Sequence, residues 1–320
     1  NEVINSATGV KKTLMQDAIK VGREHNVNYV CKGKTPPVWL HLKYKFYEKT
    51  IYSLLKKTLG LDRGAFFPTA GAAIPPAVQE FILSVGINMV AGYGLTESIA
   101  TVSCENNFDH EIGSVGKLMP HMEIKFGEND EILLKGPAIT KGYYKKEAAT
   151  KAAYTEDGWF RTGDLGAIDK DGWIFIKGRL KNMIVGPSGE NIYPEDIEEV
   201  INSNPIVAES VVTEENGKLV ALVHFDMAAL EARYDEFKRL VSGGKEQMGQ
   251  MYSASKEQIA EKMEEVKREL VTYVNSKVNR FSQITKVIDN GCEFEKTPTK
   301  KIRRFVYEQR AKNGFVPDVQ

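Results

Sequence analysis

Three strings hold most of the side chains able to do chemistry. The first, Gly92-Tyr93-Gly94-Leu95-Thr96-Glu97, packs two glycines, a phenol, a hydroxyl and a carboxylate into one short run. Glycines let a backbone approach a planar or charged ligand closely. The ring of Tyr93 offers a face on which a base could stack. The hydroxyl of Thr96 can donate to a phosphate oxygen. A carboxylate beside phosphates is repelled unless a cation bridges them, so Glu97 implies a metal. Mg²⁺ suits that place, because it takes one or two carboxylates together with phosphate oxygens. The second string is Arg161-Thr162-Gly163-Asp164-Leu165 with Gly178-Arg179-Leu180-Lys181 behind it, and the third is the basic run Thr297 to Arg304. Each has a bland counterpart: a glycine turn, a turn aspartate, a strand end, a solvated helix start.

The surrounding pattern says how these strings are held. Ala65-Phe66-Phe67 reads as a buried strand, and Thr69-Ala70-Gly71-Ala72-Ala73 as a small-residue turn. Pro76 starts a helix with Val78, Phe81, Ile82 and Val85 on one face, and Gly86 ends it. Ile87 to Val90 is the next strand. That is a strand–helix–strand unit, which predicts a parallel sheet. Ligands of such sheets bind at the carboxyl ends of the strands. Gly71-Ala72-Ala73 and the Gly92 to Glu97 string both fall there. From 110 to 177 short alternating segments separated by turns predict a small antiparallel, barrel-like sheet. They include a hairpin whose turn is Asp169-Lys170-Asp171-Gly172. Gly113-Ser114-Val115-Gly116-Lys117 lacks the spacing of a phosphate loop and reads as a strand entry. His110 and His121 read as surface or satisfied polar groups.

Upstream, residues 1–60 are helical in pattern, with Val10, Leu14, Ala18 and Val21 at helical spacing and an amphipathic segment from Val38 to Leu59. Downstream, the glycine loop Gly186-Pro187-Ser188-Gly189 precedes a helix opening at Pro194, with Glu195 and Asp196 where the dipole favours acids. Ile197, Val200 and Ile201 face inward on that helix. A hairpin follows around Glu214-Glu215-Asn216-Gly217. Residues 227–280 are charged and helical, with an apolar stripe of Ile259, Met263, Val266, Leu270 and Val274; Ile284 to Ile288 reads as a strand.

Composition narrows the class. The chain has 320 residues, enough for two domains. Its 43 basic residues balance 43 acidic ones, so no global field points to nucleic acid or a charged membrane. Its three cysteines are widely spaced and odd in number, which argues against a disulfide framework or a zinc site and for a reducing compartment. No apolar run reaches transmembrane length. The reading is a soluble, cytoplasmic protein, and the opening residue Asn1 suggests a processed or partial chain.

Taken in this order, Gly92 to Glu97, Arg161 to Leu165, Gly178 to Lys181 and the terminal basic run resemble the adenylate-forming acyl-CoA synthetases. That superfamily includes luciferases and peptide-synthetase adenylation domains. The resemblance implies an α/β fold: the C-terminal part of a large AMP-binding domain (1–178), a hinge (179–182) and a small α+β domain (183–320). It implies that Asp164 and Arg179 hold the ribose hydroxyls of ATP and that Lys181 is the pivot. It implies that Gly71, Ala72, Gly92, Tyr93 and Gly94 border the nucleotide, that Thr96 and Glu97 act at its phosphates, and that Glu97 holds Mg²⁺. Gly189 lies in the loop expected near the pantetheine of CoA. The terminal run is similar to the family's Thr-x-Ser-Gly-Lys-Ile, which places Lys301 on the catalytic lysine, with Lys300 and Thr299 in place of the glycine and serine. A cation there stabilises charge as a carboxylate attacks the α-phosphate.

The family's phosphate loop has no counterpart in residues 1–64. The nearest string, Ser6-Ala7-Thr8-Gly9, is too short, so that loop and part of the acyl pocket are expected upstream of Asn1. Ser188 to Pro194 and the long helical insertion look most like bacterial long-chain fatty acyl-CoA synthetases. The expected activity is ATP-dependent formation of acyl-AMP and then acyl-CoA, with ATP, Mg²⁺ and CoA as cofactors or co-substrates. The chain alone is expected to be inactive. The partners are small molecules. No nucleic acid is implied, and peripheral membrane contact and oligomeric state stay open. Two other readings stand beside this one: a non-catalytic nucleotide- or CoA-binding fragment, and a ligase for another acid such as an aryl acid.

Overall fold

The protein is described by a computed structural model covering residues 9–72, 74–106, 109–234, 251–298 and 300–312, with the backbone alone for 10, 251–259 and 310–312. The chain divides into two compact units, Asn1–Ile176 and Lys177–Gln320.

The first unit opens with α1 (Gly9–Gly22), α2 (Val38–Tyr47) and α3 (Ser53–Thr58), linked by π-helical turns at Arg23–Val30 and Glu48–Tyr52. Ala18, Val21, Leu40, Tyr44, Tyr47 and Tyr52 form their core with Val85 and Ile87. Two expectations change here. Leu14 is largely exposed, and α2 is not simply amphipathic: Leu40, Tyr44 and Tyr47 are buried, yet Val38, Trp39, Leu42 and Phe46 are exposed. The side chains of Val10 and Ile259, together with Ser6 to Thr8, Ala73 and Thr299, lie outside the described residues.

The first π-turn has a clear cause. It swings His25 and Asn26 inward together. Asn26 Nδ2 donates to Tyr44 Oη (3.1 Å) and to the carbonyls of Leu83 (3.0 Å) and Ser84 (3.2 Å). His25 stacks on Tyr44 with ring centroids 4.0 Å apart, its Nδ1 is 2.8 Å from Asn26 Oδ1, and its Nε2 is 2.9 Å from His41 Nδ1. A neutral His25 protonated on Nδ1 satisfies both contacts, donating to Asn26 and accepting from His41.

Next come β1 (Phe67–Thr69), α4 (Pro76–Ser84), β2 (Met89–Tyr93), β3 (Ser103–Cys104) and β4 (Lys117–Leu118). They form one sheet in the order β1-β2-β3-β4. β1 and β2 are parallel, with Phe67 opposite Met89 and Thr69 opposite Ala91. The strand–helix–strand expectation therefore holds, with two corrections. The first strand starts at Phe67 rather than Ala65; it is the sheet's edge strand, and Ala65 and Phe66 are exposed. On α4 the fully buried positions are Gln79, Leu83 and Ser84, while Val78 is exposed. A polar group displaces the expected apolar one because Gln79 has buried partners, named below.

The second sheet, β5 (Glu123–Phe126), β6 (Glu131–Lys135), β7 (Phe160–Ile168) and β8 (Ile174–Arg179), runs in sequence order. Its β7–β8 turn closes where expected, with Asp169 N donating to Trp173 O (3.0 Å). It is an open antiparallel sheet; among the described residues there is no closed barrel. The last residues of β8 belong to the second unit.

The second unit carries β9 (Ile184–Val185), β10 (Asn191–Ile192), α6 (Pro194–Asn202), β11 (Val207–Glu215), β12 (Lys218–Phe225), α7 (Met227–Arg233), α8 (Met251–Asn275), β13 (Lys286–Asp289) and α9 (Arg304–Lys312). The helix between β6 and β7, α5, spans Glu147–Ala152. Asn216 and Gly217 both have positive φ (52° and 74°), which is the two-residue turn an Asn-Gly pair favours. The sheet order is β11-β12-β13, with β13 parallel to β12. Ile197, Ile201, Val266, Leu270 and Val274 pack on it as expected.

Burial holds His25 below its ordinary titration range. A histidine whose folded value is depressed stabilises the fold above its unfolded pKa of about 6.5, and that contribution is lost as pH falls from there through the lower folded value. The stability advantage of the native chain over His25→Gln should therefore shrink below about pH 6.5, by up to ~1.4 kcal/mol per pH unit. Urea melts at several pH values check this, and a constant gap would remove His25 from the acid response.

Candidate active site

In the first unit, β1 and β2 deliver their loops to one edge. Because they run parallel, Gly71-Ala72 after β1 and Leu95 to Glu97 after β2 leave the same side of the sheet. Gly71 has φ +86° and is exposed, as is Ala72.

The turn after β2 is tightly made. Thr96–Ser98 form one 3₁₀ turn, with Leu95 N donating to Ser98 Oγ (2.9 Å). Ile99 and Ala100 follow at φ +50° and +82°. Left-handed backbone is costly for a β-branched residue, and such outliers persist only where the surroundings enforce them. Here the enforcement comes from beneath. A Cβ on Gly94 would lie 1.3 Å from the Ala100 carbonyl oxygen, and one on Gly92 would lie 3.2 Å from that of Ser103. The close approach that demands glycine at 94 is thus made by the turn's own backbone.

Asp164 is presented by a different device. Between Glu131 and Leu133 the β6–β7 register shifts, and Gly163 turns through φ +66°. Three bonds fix that bulge. Thr162 Oγ1 donates to Ile132 O (2.8 Å), Asp164 N donates to Thr162 Oγ1 (3.0 Å), and Gly163 N donates to Glu131 Oε1 (3.2 Å). Arg161 Nη1 holds the other Glu131 oxygen at 2.9 Å. Tyr93 Oη then donates to Asp164 Oδ2 at 2.7 Å. Two strings separated by 71 positions meet in one hydrogen bond.

Thr96 is exposed, and Glu97 is half-buried. Glu97 accepts from Tyr143 Oη at Oε1 (2.9 Å), and its carbonyl accepts from Thr140 N (2.7 Å). The bond to Glu97 pushes the Tyr143 phenol above its ordinary range, because a neighbouring carboxylate disfavours phenolate. Among the described residues no group of three or more His, Cys, Asp or Glu could hold a metal. A Mg²⁺ ion shared with phosphate oxygens needs only one or two carboxylates, and Glu97 could supply one.

Several supporting groups escaped the sequence. The buried carboxylate of Glu105 accepts from Ala91 N (2.9 Å), Glu111 N (3.2 Å) and Gln79 Nε2 (3.3 Å), and pairs with His110 Nδ1 (3.2 Å). It fixes β2 one residue before Gly92. His110 is thus a satisfied polar group, as read. Tyr143 and Glu131 are ordinary residue types whose side-chain partners lie 30 or more positions away, and those of Glu105 lie 5 to 26 away, so no motif points to them.

The second unit holds Arg179 at the end of β8, Lys181 exposed in the Leu180–Asn182 turn, Gly189 at φ +85° between β9 and β10, and Lys301. Lys301 closes a short loop: its N donates to Thr297 Oγ1 (3.1 Å), and its carbonyl accepts from Thr297 N (2.8 Å). Lys300 stands at φ +59°. The backbone there takes the shape glycine adopts freely, although a lysine occupies it.

Comparison with known proteins agrees with this architecture. The family described as AMP-binding enzyme matches residues 14–144. The long-chain-fatty-acid–CoA ligase FadD15 of Mycobacterium bovis is 30% identical over 291 residues, covering 91% of this chain and 47% of that protein. A 2-succinylbenzoate–CoA ligase of Listeria innocua is 37% identical over 170 residues, 51% of this chain and 36% of that protein. The chain therefore spans about half the length of the FadD15 relatives it matches. Among solved structures, o-succinylbenzoate CoA synthetase from Bacillus subtilis in complex with the acyl-adenylate intermediate OSB-AMP superposes with a TM-score of 0.59 at 23% identity. It covers 82% of this chain and 49% of that one. That likeness bears on the fold.

Gly94→Ala should destabilise the first unit by on the order of 3 kcal/mol, since a methyl cannot enter the backbone contact with Ala100 without moving the turn. Gly71→Ala should cost about 1 kcal/mol, for the left-handed conformation alone. Denaturant melts of both variants check the ranking; equal effects would remove the steric account of Gly94.

Proposed function

We propose that this chain, whose family is that of the AMP-binding, adenylate-forming enzymes, is the nucleotide-ribose and lysine-bearing part of an acid–CoA ligase that activates a long-chain fatty acid. The observation that carries the reading is the Tyr93–Asp164 bond, which joins two of the family's strings in one place. The likeness to FadD15 supports the fatty-acid class, and the likeness to 2-succinylbenzoate–CoA ligase favours an aryl acid as the second reading.

In this reading residues 1–178 are the C-terminal part of the large AMP-binding domain, 179–182 are the hinge and 183–320 are the small domain. Asp164 accepts hydrogen bonds from the ribose hydroxyls. Arg179 supports the same sugar. The Tyr93 ring, held by its hydroxyl, presents a face to the base. Gly71, Ala72, Gly92 and Gly94 border the nucleotide. Thr96 donates to a phosphate oxygen. Glu97 would hold Mg²⁺, which when bound neutralises charge on the phosphates. Tyr143 orients that carboxylate. Lys301 brings a cation to the α-phosphate while the substrate carboxylate attacks, and Gly189 borders the pantetheine of CoA. No helix among the described residues is long and apolar enough to cross a membrane. We place the reaction in the cytoplasm, with ATP, the acid and CoA as small-molecule partners.

AMP titrated into the chain by calorimetry should bind, and Asp164→Ala should weaken it by roughly 1.5–3 kcal/mol, the worth of a hydrogen bond to a charged group. Unchanged affinity would take Asp164 out of the site. A non-hydrolysable palmitoyl-adenylate should bind more tightly than an aryl-adenylate. The reverse order would replace the fatty acid by an aryl acid while leaving the ribose site in place.

A further inference from the structure

The candidate pivot and the candidate catalytic lysine lie more than a hundred positions apart in sequence, and side chains of α6 connect them within the second unit. Asn182, the last residue of the turn that contains Lys181, donates through Nδ2 to Glu195 Oε1 at 2.6 Å. Arg304, three residues after Lys301, has its Nε 3.9 Å from the same Glu195 oxygen. Arg304 is anchored next to it, because its Nη2 bonds Glu198 Oε2. Glu198 is itself tied to the sheet, accepting from Val212 N at Oε1 (2.6 Å). The Arg304 and Glu198 side chains are only 18% and 9% exposed, so the pair is a fixed point rather than a solvated contact.

Glu195 differs from Glu198 in being under-satisfied. Its Oε2 is buried and has no hydrogen-bond partner among the described residues. The backbone of Gly178 lies over it: Gly178 has φ +148°, and a Cβ there would sit 2.7 Å from that oxygen. A buried carboxylate with one short neutral bond and one guanidinium just outside bonding range has two competing partners, and the charged one is the stronger donor. Whatever loosens Asn182 frees Glu195 for Arg304.

Resting on the pivot and lysine roles proposed above, we propose that Glu195 exchanges between Asn182 and Arg304 and thereby couples the Leu180–Asn182 turn to the position of Lys301. Glu195 and Arg304 are positioning residues in this scheme. The amides of Lys300, Lys301, Arg303 and Arg304 each donate to a defined partner, so the loop's state can be read at them. When Asn182 bonds Glu195, Arg304 is hydrogen-bonded to Glu198 with its Nε still 3.9 Å from Glu195, and the Lys301 loop keeps some freedom. When Asn182 lets go, Glu195 closes on Arg304, and the loop behind it tightens.

The test is amide hydrogen exchange of the ligand-free chain, read by mass spectrometry, with the reductive-methylation rate of Lys301 as a second readout. Two variants that leave the Arg304–Glu198 anchor intact should act with opposite signs. Asn182→Ala should speed exchange at 180–183 and slow it at 300–304, by about threefold or more, the scale of a coupled pair. Glu195→Gln keeps an acceptor for Asn182 but removes the charge that draws Arg304. It should leave 180–183 unchanged and speed exchange at 300–304. Lys301 methylation should follow the 300–304 amides in both. Faster exchange at both segments in both variants would mean plain loss of packing and overturn the coupling, as would an Asn182→Ala chain with unaltered 300–304 amides. Because no nucleotide is present, the result is independent of AMP binding. Coupling without AMP binding would sink the ligase reading alone, and AMP binding without coupling would sink this one alone.

Discussion

The hydrogen bond from Tyr93 to Asp164 is the constraint on which the first unit's arrangement turns. It closes a gap between two sheets that the chain builds separately, the mixed sheet ending at Tyr93 and the antiparallel sheet carrying the Gly163 bulge. Neither end is adjustable. Tyr93 is the last residue of a strand held by Glu105, and Asp164 sits on a bulge held by Glu131. A hydrogen bond to a charged group contributes roughly 1.5–3 kcal/mol, and only if both partners are already in place. The two outlying carboxylates supply that preorganisation.

Carboxylates recur as fasteners throughout the molecule. Glu105 takes the amide of Ala91, Glu131 that of Gly163 and Glu198 that of Val212, and each also meets a cationic or titratable side chain: His110, Arg161 and Arg304 respectively. One acidic side chain thus satisfies a strand amide and a neighbouring element at once. An ionised carboxylate can accept at several sites, which an amide or hydroxyl cannot match. Burial pushes Glu198 up to about 7, against the opposing pull of Arg304. The cost of burying such a group is large unless it is paired, which is why each one is.

What the sequence revealed follows the range of the forces involved. Features set within a few residues were legible. The Asn216-Gly217 turn, the Pro194 helix start, the Asp169 to Gly172 hairpin and the inward stripe of Val266, Leu270 and Val274 stand where spacing and turn chemistry put them. Ala65 and Phe66 misled because apolar character implies burial only when something lies on both faces, and β1 is an edge strand. Val78 misled because Gln79, one position on, had a buried carboxylate to reach. Tyr143 could not be read at all, since its partner Glu97 lies 46 positions away across a loop. The site strings themselves were visible through their order along the chain. The groups that hold them in place were not.

Glycine and its replacement make the same point at the backbone. Gly94 looks like a residue chosen to admit a ligand, yet the atom it admits belongs to Ala100. Lys300 stands where the family resemblance implies a glycine, and it still adopts the left-handed φ of +59°. That conformation costs a non-glycine residue on the order of 1–2 kcal/mol, so the surrounding loop must repay it. The repayment is visible: Lys300 N donates to Thr297 O at 2.8 Å, and Thr297 N donates back to Lys301 O at 2.8 Å. The loop's shape is therefore set by its closure on Thr297 and by Arg304 behind it rather than by the freedom of a glycine.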